Sequence, residues 1–220
     1  MELKWELNNK RKGNDLDWGG ETNTPKKKKV ASNLVSDHPL IYTINNEVHF
    51  STGINIDTIE ILIKEISTLI SINKKKFENG VDKFEITYVV DSLGGCVLSI
   101  FKFVDFIKNI KKKHPNIIFK SVITGLVASA GTIMCVVADK RYMMPRAYAM
   151  IHELSSGNSG KYTHLLSHTE FIKQLHETII DIYLDNKCKK TRDELELLLK
   201  NETWYNASDY LSSGFIDEIL

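Results

Sequence analysis

Two short stretches of the sequence carry a serine and a histidine that could act together as nucleophile and base. Ser129 lies among small residues in Gly125–Gly131, between a strand-like stretch and a predicted helix. Small neighbours leave its hydroxyl group reachable, and the unpaired N–H groups of a helix start suit a developing oxyanion. His152 ends the apolar stretch that contains Met150. Taken alone, such a serine is more often a helix cap and such a histidine more often a structural residue, but together they indicate a nucleophile–base pair.

A pair of glycines is a third candidate for the same site. Gly94 and Gly95 lie between a predicted strand and a predicted helix, within the stretch Asp91–Cys96. Paired glycines let the backbone approach a ligand and direct amide N–H groups outward. A tight turn without a functional role is the alternative, and Cys96 is either a reactive thiol or a small buried filler. All three stretches occur at the ends of predicted strands, where open α/β sheets place their chemistry.

Metal and disulfide chemistry are not indicated by the sequence. His164 and His168 lie four residues apart on a predicted helix, a possible metal pair, but no carboxylate stands in the right frame, which favours a solvated helix face. The three cysteines, Cys96, Cys135 and Cys188, are widely spaced and form neither a CxxC pair nor a Cys/His ligand grouping. We therefore expect no metal, no cofactor and reduced thiols in the cytoplasm.

Strand-like and helical patterns alternate from residue 40 onward. Helical spacing of apolar residues predicts helices over about 57–73, 97–113 and 162–186, with a further helix over 128–138. Short runs of β-branched and aromatic residues predict strands at 40–44, 84–90, 117–124, 141–144 and 147–151. This alternation predicts an α/β domain with a parallel sheet.

Length and composition suggest one folded domain with a basic extension. The chain has 220 residues and a net charge of +1, which gives no case for nucleic acid or an acidic membrane as the main partner. It has no stretch of 18 apolar residues and no apolar segment at its start, so neither a membrane span nor a signal peptide is expected. Residues 1–37 are rich in Lys, Asn, Gly and Thr and predict a mobile segment, a propeptide or docking arm, before a domain over 38–220.

The order of these stretches resembles the proteolytic subunit of the Clp protease. That family has a Ser-Pro-Gly-Gly turn, a serine between small residues at a helix start, a Met-Ile-His strand end, a long "handle" helix and a closing Gly-x-x-Asp. The matching stretches here are Ser92-Leu-Gly-Gly95, Ala128-Ser-Ala-Gly131, Met150-Ile-His152, the helix near 162–186 and Gly214-Phe-Ile-Asp217. The resemblance covers about residues 40–220. It implies an α/β spiral of β-β-α units, shared with the crotonases, and a protruding handle helix.

The resemblance also implies roles for individual residues. Ser129 would be the nucleophile and His152 the general base, with the backbone N–H groups of Gly94 and Ala130 as the oxyanion hole. The family's third triad member is an aspartate, and aligning the closing motif puts Glu202 in its place.

Two departures from the family's pattern bear on these roles. Asn201, next to Glu202, could orient the histidine instead through its amide oxygen. Leu93 replaces the proline of the glycine turn, which should loosen that turn.

Residues on both sides of this site are expected to bind the substrate. By the resemblance, Gly95 and Val97 after the glycine turn, and Ser155 after the histidine, would pair with an extended polypeptide as added β-strands do.

The implied function is that of a serine endopeptidase that cleaves unfolded polypeptides inside stacked homo-oligomeric rings, which an AAA+ ATPase can feed. The alternatives are a non-catalytic scaffold subunit, a phage-type capsid-maturation protease without an ATPase, and an acyl-CoA enzyme of the crotonase type.

Overall fold

The computed structural model describes residues 40–78, 82–186 and 188–220. The extension predicted over residues 1–37 lies outside these residues. Strands and helices alternate through most of the described chain. The strands are β1 (Ile41–Ile44), β2 (Glu47–Phe50), β3 (Phe84–Ser92), β4 (Ile117–Ala128), β5 (Lys140–Met143), β6 (Tyr148–Ile151), β7 (Thr203–Asn206) and β8 (Glu218–Ile219). The helices are α1 (Ile56–Ile72), α2 (Lys74–Phe77), α3 (Val97–Lys113), α4 (Ala130–Val136), α5 (Tyr162–Asp185), α6 (Arg192–Lys200) and α7 (Ala207–Ser212).

Within the described residues, eight strands form one sheet in the order β1-β2-β3-β4-β5-β8, while β6 pairs with β4 and with β7. The pairings β2–β3, β3–β4, β4–β5, β4–β6 and β5–β8 are parallel. Only β1–β2 and β6–β7 among the described strands are antiparallel. The predicted α/β class with a largely parallel sheet is confirmed.

The core follows from the apolar periodicity of β3 and α3. Along β3 the buried side chains alternate with less buried ones, the period of two that a strand requires. The inward face of α3 carries Ile100, Phe103 and Ile107, each fully buried, and burial of each such side chain contributes about 1.5–3 kcal/mol. All seven residues of α4 are buried. A helix without a solvent-facing side, starting directly after Ser129, fixes the serine to the centre of the domain.

The long strand β4 divides between two partners. Its earlier part pairs with β5 over Lys120–Ile123, and its end pairs with β6 over Leu126–Ala128. Gly125 lies between these parts with a φ of 66°, a left-handed conformation that glycine adopts without strain. The Leu126 N–H donates a hydrogen bond of 3.1 Å to Asp91 Oδ1. The strand therefore changes partner at Gly125 without ending.

This continuation differs from the sequence prediction, which ends the strand at residue 124 and starts a helix at 128. The strand runs to Ala128 and α4 begins at Ala130. Ser129 is therefore the single residue that connects a strand to a helix.

The helix α5 has two unlike halves. Its buried residues lie in the C-terminal half, from Leu175 to Tyr183. Its N-terminal half carries exposed apolar side chains, including Tyr162 and Leu166. The long helix predicted over about 162–186 is confirmed. In the part of the chain that the structure describes, no helix is long and apolar enough to cross a membrane.

A buried arginine fastens the C-terminal segment to the sheet. The Nε and Nη2 groups of Arg141 on β5 donate to the carboxylate of Asp217 at 3.1 and 2.6 Å. Its Nη1 group donates to the carbonyl oxygens of Asn186 and Gly214. The arginine side chain is only 4% exposed, so the arginine side of these charge-assisted bonds is shielded from water, whereas the Asp217 side chain is 44% exposed. They hold the end of the segment that carries β7 and Glu202.

Candidate active site

Ser129 has the backbone conformation of a residue held under strain. Its φ and ψ are 59° and −128°, which a non-glycine residue adopts only when its surroundings enforce it, at a cost of about 1–3 kcal/mol. Its N–H donates to the carbonyl oxygen of Met150 at 2.9 Å, and its own carbonyl oxygen accepts from the Thr132 N–H at 3.0 Å. The residue is 3% exposed, and its Oγ has no hydrogen-bond partner among the described residues. Such a hydroxyl is available for chemistry.

His152 lies beside this turn because of the β4–β6 pairing. Val127 is opposite Ala149 and Ala128 is opposite Met150. Ser129 and His152 therefore follow the carboxyl ends of two adjacent parallel strands, as the sequence predicted for these two stretches. His152 Nε2 is buried. Burial lowers the pKa of His152, and the negative charges of Glu202 and Glu153 oppose that effect. A lowered pKa favours the neutral imidazole that a general base requires.

The antiparallel pairing of β6 with β7 brings Glu202 next to His152. Met150 is opposite Trp204 and Ile151 is opposite Thr203, so one further step in this register sets His152 against Glu202. A second step sets Asn201 against Glu153, the residue after His152. The influence of the Glu202 charge on the pKa of His152 is a second sign of proximity. Of the two residues, Glu202 rather than Asn201 is therefore the one beside His152.

The surroundings of Glu202 differ from those of a buried triad acid. The residue has a φ of 48° and is exposed, and the Trp204 Nε1–H donates to its carboxylate at 3.4 Å. Asn201 caps the end of α6, with its N–H donating to Leu197 O at 3.2 Å.

Gly94 makes a close contact with the serine turn. Its φ is 86°, and a Cβ atom there would lie 2.8 Å from Ser129 Cβ and 2.9 Å from Ala130 N. Only glycine therefore allows the two turns to approach. This brings the backbone of Gly94 next to the N–H of Ala130, the first residue of α4, where a helix leaves its N–H groups without intrahelical partners. The two predicted oxyanion donors are neighbours.

Sequence reasoning missed a serine that interacts with one of these donors. The Gly94 N–H donates to the Oγ of Ser92 at 3.2 Å, and Ser92 is buried. A serine two residues before a glycine is a common local turn contact, so the spacing alone could have suggested it. A ligand that uses the Gly94 N–H must share this donor with Ser92.

The residues predicted to contact a substrate are in different environments. Gly95 forms a parallel bridge with Ile54, whose N–H donates to Gly94 O and whose carbonyl accepts from Cys96 N–H, both at 2.8 Å. In such a bridge the N–H and C=O groups of Gly95 itself point away from Ile54. Ser155 is exposed in the irregular segment after β6.

Val97 is fully buried in the core at the start of α3, so its side chain is not accessible to a substrate.

The predicted helix histidines have a local structural contact. His168 Nε2 lies 3.0 Å from Ser156 Oγ, which links α5 to the segment after β6. Across residues 40–78, 82–186 and 188–220, no group of three His, Cys, Asp or Glu side chains is arranged to hold a metal ion.

Comparison with known proteins identifies the family. The family model described as "Clp protease" matches residues 45–220. ATP-dependent Clp protease proteolytic subunit 1 of Chlamydia trachomatis serovar D is 32% identical over 139 residues, which are 61% of this chain and 69% of that protein. The ATP-dependent Clp protease proteolytic subunit of Streptococcus gordonii is 30% identical over 140 residues, 62% of this chain and 68% of that protein. The chain therefore belongs to the Clp protease family, a family of peptidases, and its mixed α/β fold is consistent with that family's fold.

Proposed function

We propose that this chain is a serine endopeptidase with Ser129 as its nucleophile, His152 as its base and Glu202 as the acid that orients the base. The observation that carries the proposal is the Ser129 turn. It combines a strained backbone and a buried, unbonded Oγ with a backbone hydrogen bond to the strand that leads into His152. A structural serine at a helix start would use its hydroxyl as a cap, whereas this hydroxyl makes no cap bond.

The reaction begins when His152 Nε2 takes the proton of the Ser129 hydroxyl as Oγ attacks the carbonyl carbon of the peptide. The resulting oxyanion accepts hydrogen bonds from the N–H groups of Gly94 and Ala130. His152 then gives the proton to the leaving amine nitrogen, the C–N bond breaks and an acyl-enzyme remains. His152 then deprotonates a water molecule that attacks the ester. As the bond between the acyl carbon and Ser129 Oγ breaks, His152 returns the proton to Oγ and the peptide leaves with a free carboxyl end. Glu202 holds the histidine tautomer with the proton on Nδ1 and stabilises the imidazolium.

The backbone around the site supports an extended polypeptide as substrate. The outward N–H and C=O of Gly95 offer one edge for strand addition, and the segment with Ser155 offers the other. The exposed side chains of Leu93 and Leu98, 57% and 46% exposed, flank the glycine pair with apolar surface. A folded protein has few unpaired extended segments to place between such edges, which favours unfolded chains.

The proposal includes a ring-shaped homo-oligomer in the cytoplasm. The exposed apolar side chains in the N-terminal half of α5 support contacts between rings, because such side chains favour burial against a partner. The names of both relatives contain "ATP-dependent" and "subunit", which supports a partnership with an AAA+ unfoldase here.

A comparison of two serine variants tests this function. Ser129→Ala should abolish cleavage of a fluorogenic peptide, a loss of several powers of ten, while the fold and the assembled mass stay unchanged. Ser121→Ala is the matched control. Ser121 lies on β4, the strand that leads into Ser129, is buried and bonds to Cys135 O at 2.9 Å, so its variant should keep turnover. Turnover retained by purified Ser129→Ala would contradict the proposal.

A further inference from the structure

Two buried hydroxyl groups form a chain that ends on the carbonyl oxygen of the nucleophile. Thr132 Oγ1 donates to Ser129 O at 2.5 Å, beside the 3.0 Å bond from the Thr132 N–H to the same oxygen. The hydroxyl oxygen of Tyr183 on α5 lies 2.6 Å from Thr132 Oγ1. Thr132 is 0% exposed and Tyr183 is 1% exposed, so water does not compete for these bonds.

The chain has one direction. A hydroxyl group has a single proton to donate, and a carbonyl oxygen can only accept. Because Thr132 gives its proton to Ser129 O, Tyr183 must donate to Thr132 Oγ1. Burial raises the pKa of Tyr183, and the opposing effect of its bond to Thr132 is smaller. The phenol therefore stays protonated and acts as the first donor of the chain.

The oxygen at the end of this chain shares a peptide plane with the Ala130 N–H. The peptide bond is planar and trans, so its C=O and N–H point in opposite directions. Holding the oxygen of Ser129 therefore also fixes the direction of the Ala130 N–H. Two hydrogen bonds on the oxygen polarise the peptide as well, which strengthens the N–H as a donor. The strained φ of 59° at Ser129 makes such external support necessary.

We infer that Thr132 and Tyr183 are positioning residues for the oxyanion hole, because their hydrogen bonds hold the Ser129–Ala130 peptide with its N–H directed at the developing oxyanion. The inference rests on the proposed function, since it requires that Ala130 bind an oxyanion. It also connects α5 with the nucleophile. Tyr183 lies in the buried half of that helix and its ring packs against Phe215, with centroids 5.7 Å apart.

Two other buried hydroxyl groups provide matched controls. Tyr88 OH donates to Met134 O at 3.1 Å, and Ser121 Oγ donates to Cys135 O at 2.9 Å. Both residues are fully buried and both bond to α4, but neither bonds to the Ser129–Ala130 peptide. Tyr88→Phe and Ser121→Ala therefore report the cost of losing a buried hydroxyl group against this helix, without the proposed positioning effect.

The test measures kcat and KM on a fluorogenic peptide, together with the affinity of a peptide boronate, whose tetrahedral adduct with Ser129 carries an oxygen in the oxyanion hole. We expect Thr132→Val to lower kcat about tenfold and Tyr183→Phe about threefold, with KM within about twofold of wild type. Boronate affinity should fall in parallel with kcat. Thr132→Ser keeps the hydroxyl group and should restore both values. The two control variants should lose thermal stability but keep kcat.

Equal kcat losses in the control variants would overturn the inference, as would a fall in kcat with boronate affinity preserved. If Thr132→Val does not fold, Tyr183→Phe, which keeps its ring, decides by the same criteria. A wild-type chain that neither cleaves the peptide nor binds the boronate would refute the proposed function and this inference together. An active wild type whose Thr132→Val variant keeps full kcat would refute the inference alone.

Discussion

Replacing Gly94 by alanine would put a methyl group into the space that the nucleophile turn occupies. The new Cβ would lie 2.5 Å from Ala128 O, 2.8 Å from Ser129 Cβ and 2.9 Å from Ala130 N. Two of these three atoms belong to the backbone, so no rotation of a flexible side chain relieves the contacts. The turn must move away from Ser129, and the Gly94 N–H moves with it.

The expected losses in stability and in rate have separate causes. A φ of 86° costs an alanine about 1–2 kcal/mol relative to glycine, which lowers Tm by about 2–8 °C in a domain of this size. Displacement of the Gly94 N–H removes one proposed oxyanion donor, so kcat should fall by about two to three powers of ten. Because substrate binding depends on other contacts, KM should change little.

The control for this variant is Gly53→Ala in the neighbouring loop. A Cβ at Gly53 would lie 3.7 Å from Gly94 O, an ordinary contact, so its kcat should match wild type. The assay is steady-state cleavage of a fluorogenic peptide well below Tm, with the assembled mass checked for each variant. If folded Gly94→Ala kept a kcat within threefold of Gly53→Ala, the assignment of Gly94 to the oxyanion hole would be wrong.

Two further predictions concern the base and its partner. Glu202→Gln should lower kcat by about two to four powers of ten with KM preserved, by analogy with other triads, whereas Asn201→Ala should leave it near wild type. The reverse pattern would make Asn201 the orienting residue. Because burial lowers the pKa of His152, kcat/KM should rise with pH through a midpoint below about 6.5, the usual histidine value. Glu153→Gln removes a charge that opposes this effect, so it should move the midpoint still lower with kcat preserved, and a midpoint that moves upward would contradict the electrostatic account.

Local pattern was sufficient to predict the elements with strong periodicity. The prediction for α3 ends at Lys113, as the helix does, because three lysines complement the helix dipole and Pro115 follows. The short strands β2 and β7 were not predicted. Each has four residues and is defined by its pairing with a partner strand, which a local window does not contain.

The glycine in β4 explains the error at the serine turn. Gly125 has the sequence signature of a strand end, but the chain continues into the pairing with β6, and the Leu126 N–H that follows the glycine bonds to Asp91 Oδ1. The strand therefore carries its regular geometry up to Ser129. Sequence spacing predicted the serine and the histidine as a pair, whereas the conformation of the serine turn depends on its contacts with Met150 and Gly94, which a local window does not contain.

Contacts between distant residues account for the rest of the site. Thr132 and Tyr183 are 51 residues apart, and no sequence spacing connects them. Glu202 was aligned through the stretch from Tyr205 to Gly214 and the closing Gly-x-x-Asp motif, and the register of β7 against β6 supports that alignment. Val97 was predicted to contact a substrate from its place after the glycine turn, but its apolar side chain completes the buried face of α3.

The most direct test of the central claim is to label the purified chain with a fluorophosphonate and locate the adduct by peptide mass mapping. An activated serine forms a covalent phosphonyl ester, and its reactivity depends on a neighbouring base and an oxyanion hole. We expect one adduct per chain, on Ser129, and its loss in His152→Ala, whose serine remains in place. An unlabelled wild-type chain, or an adduct on another serine, would contradict that claim.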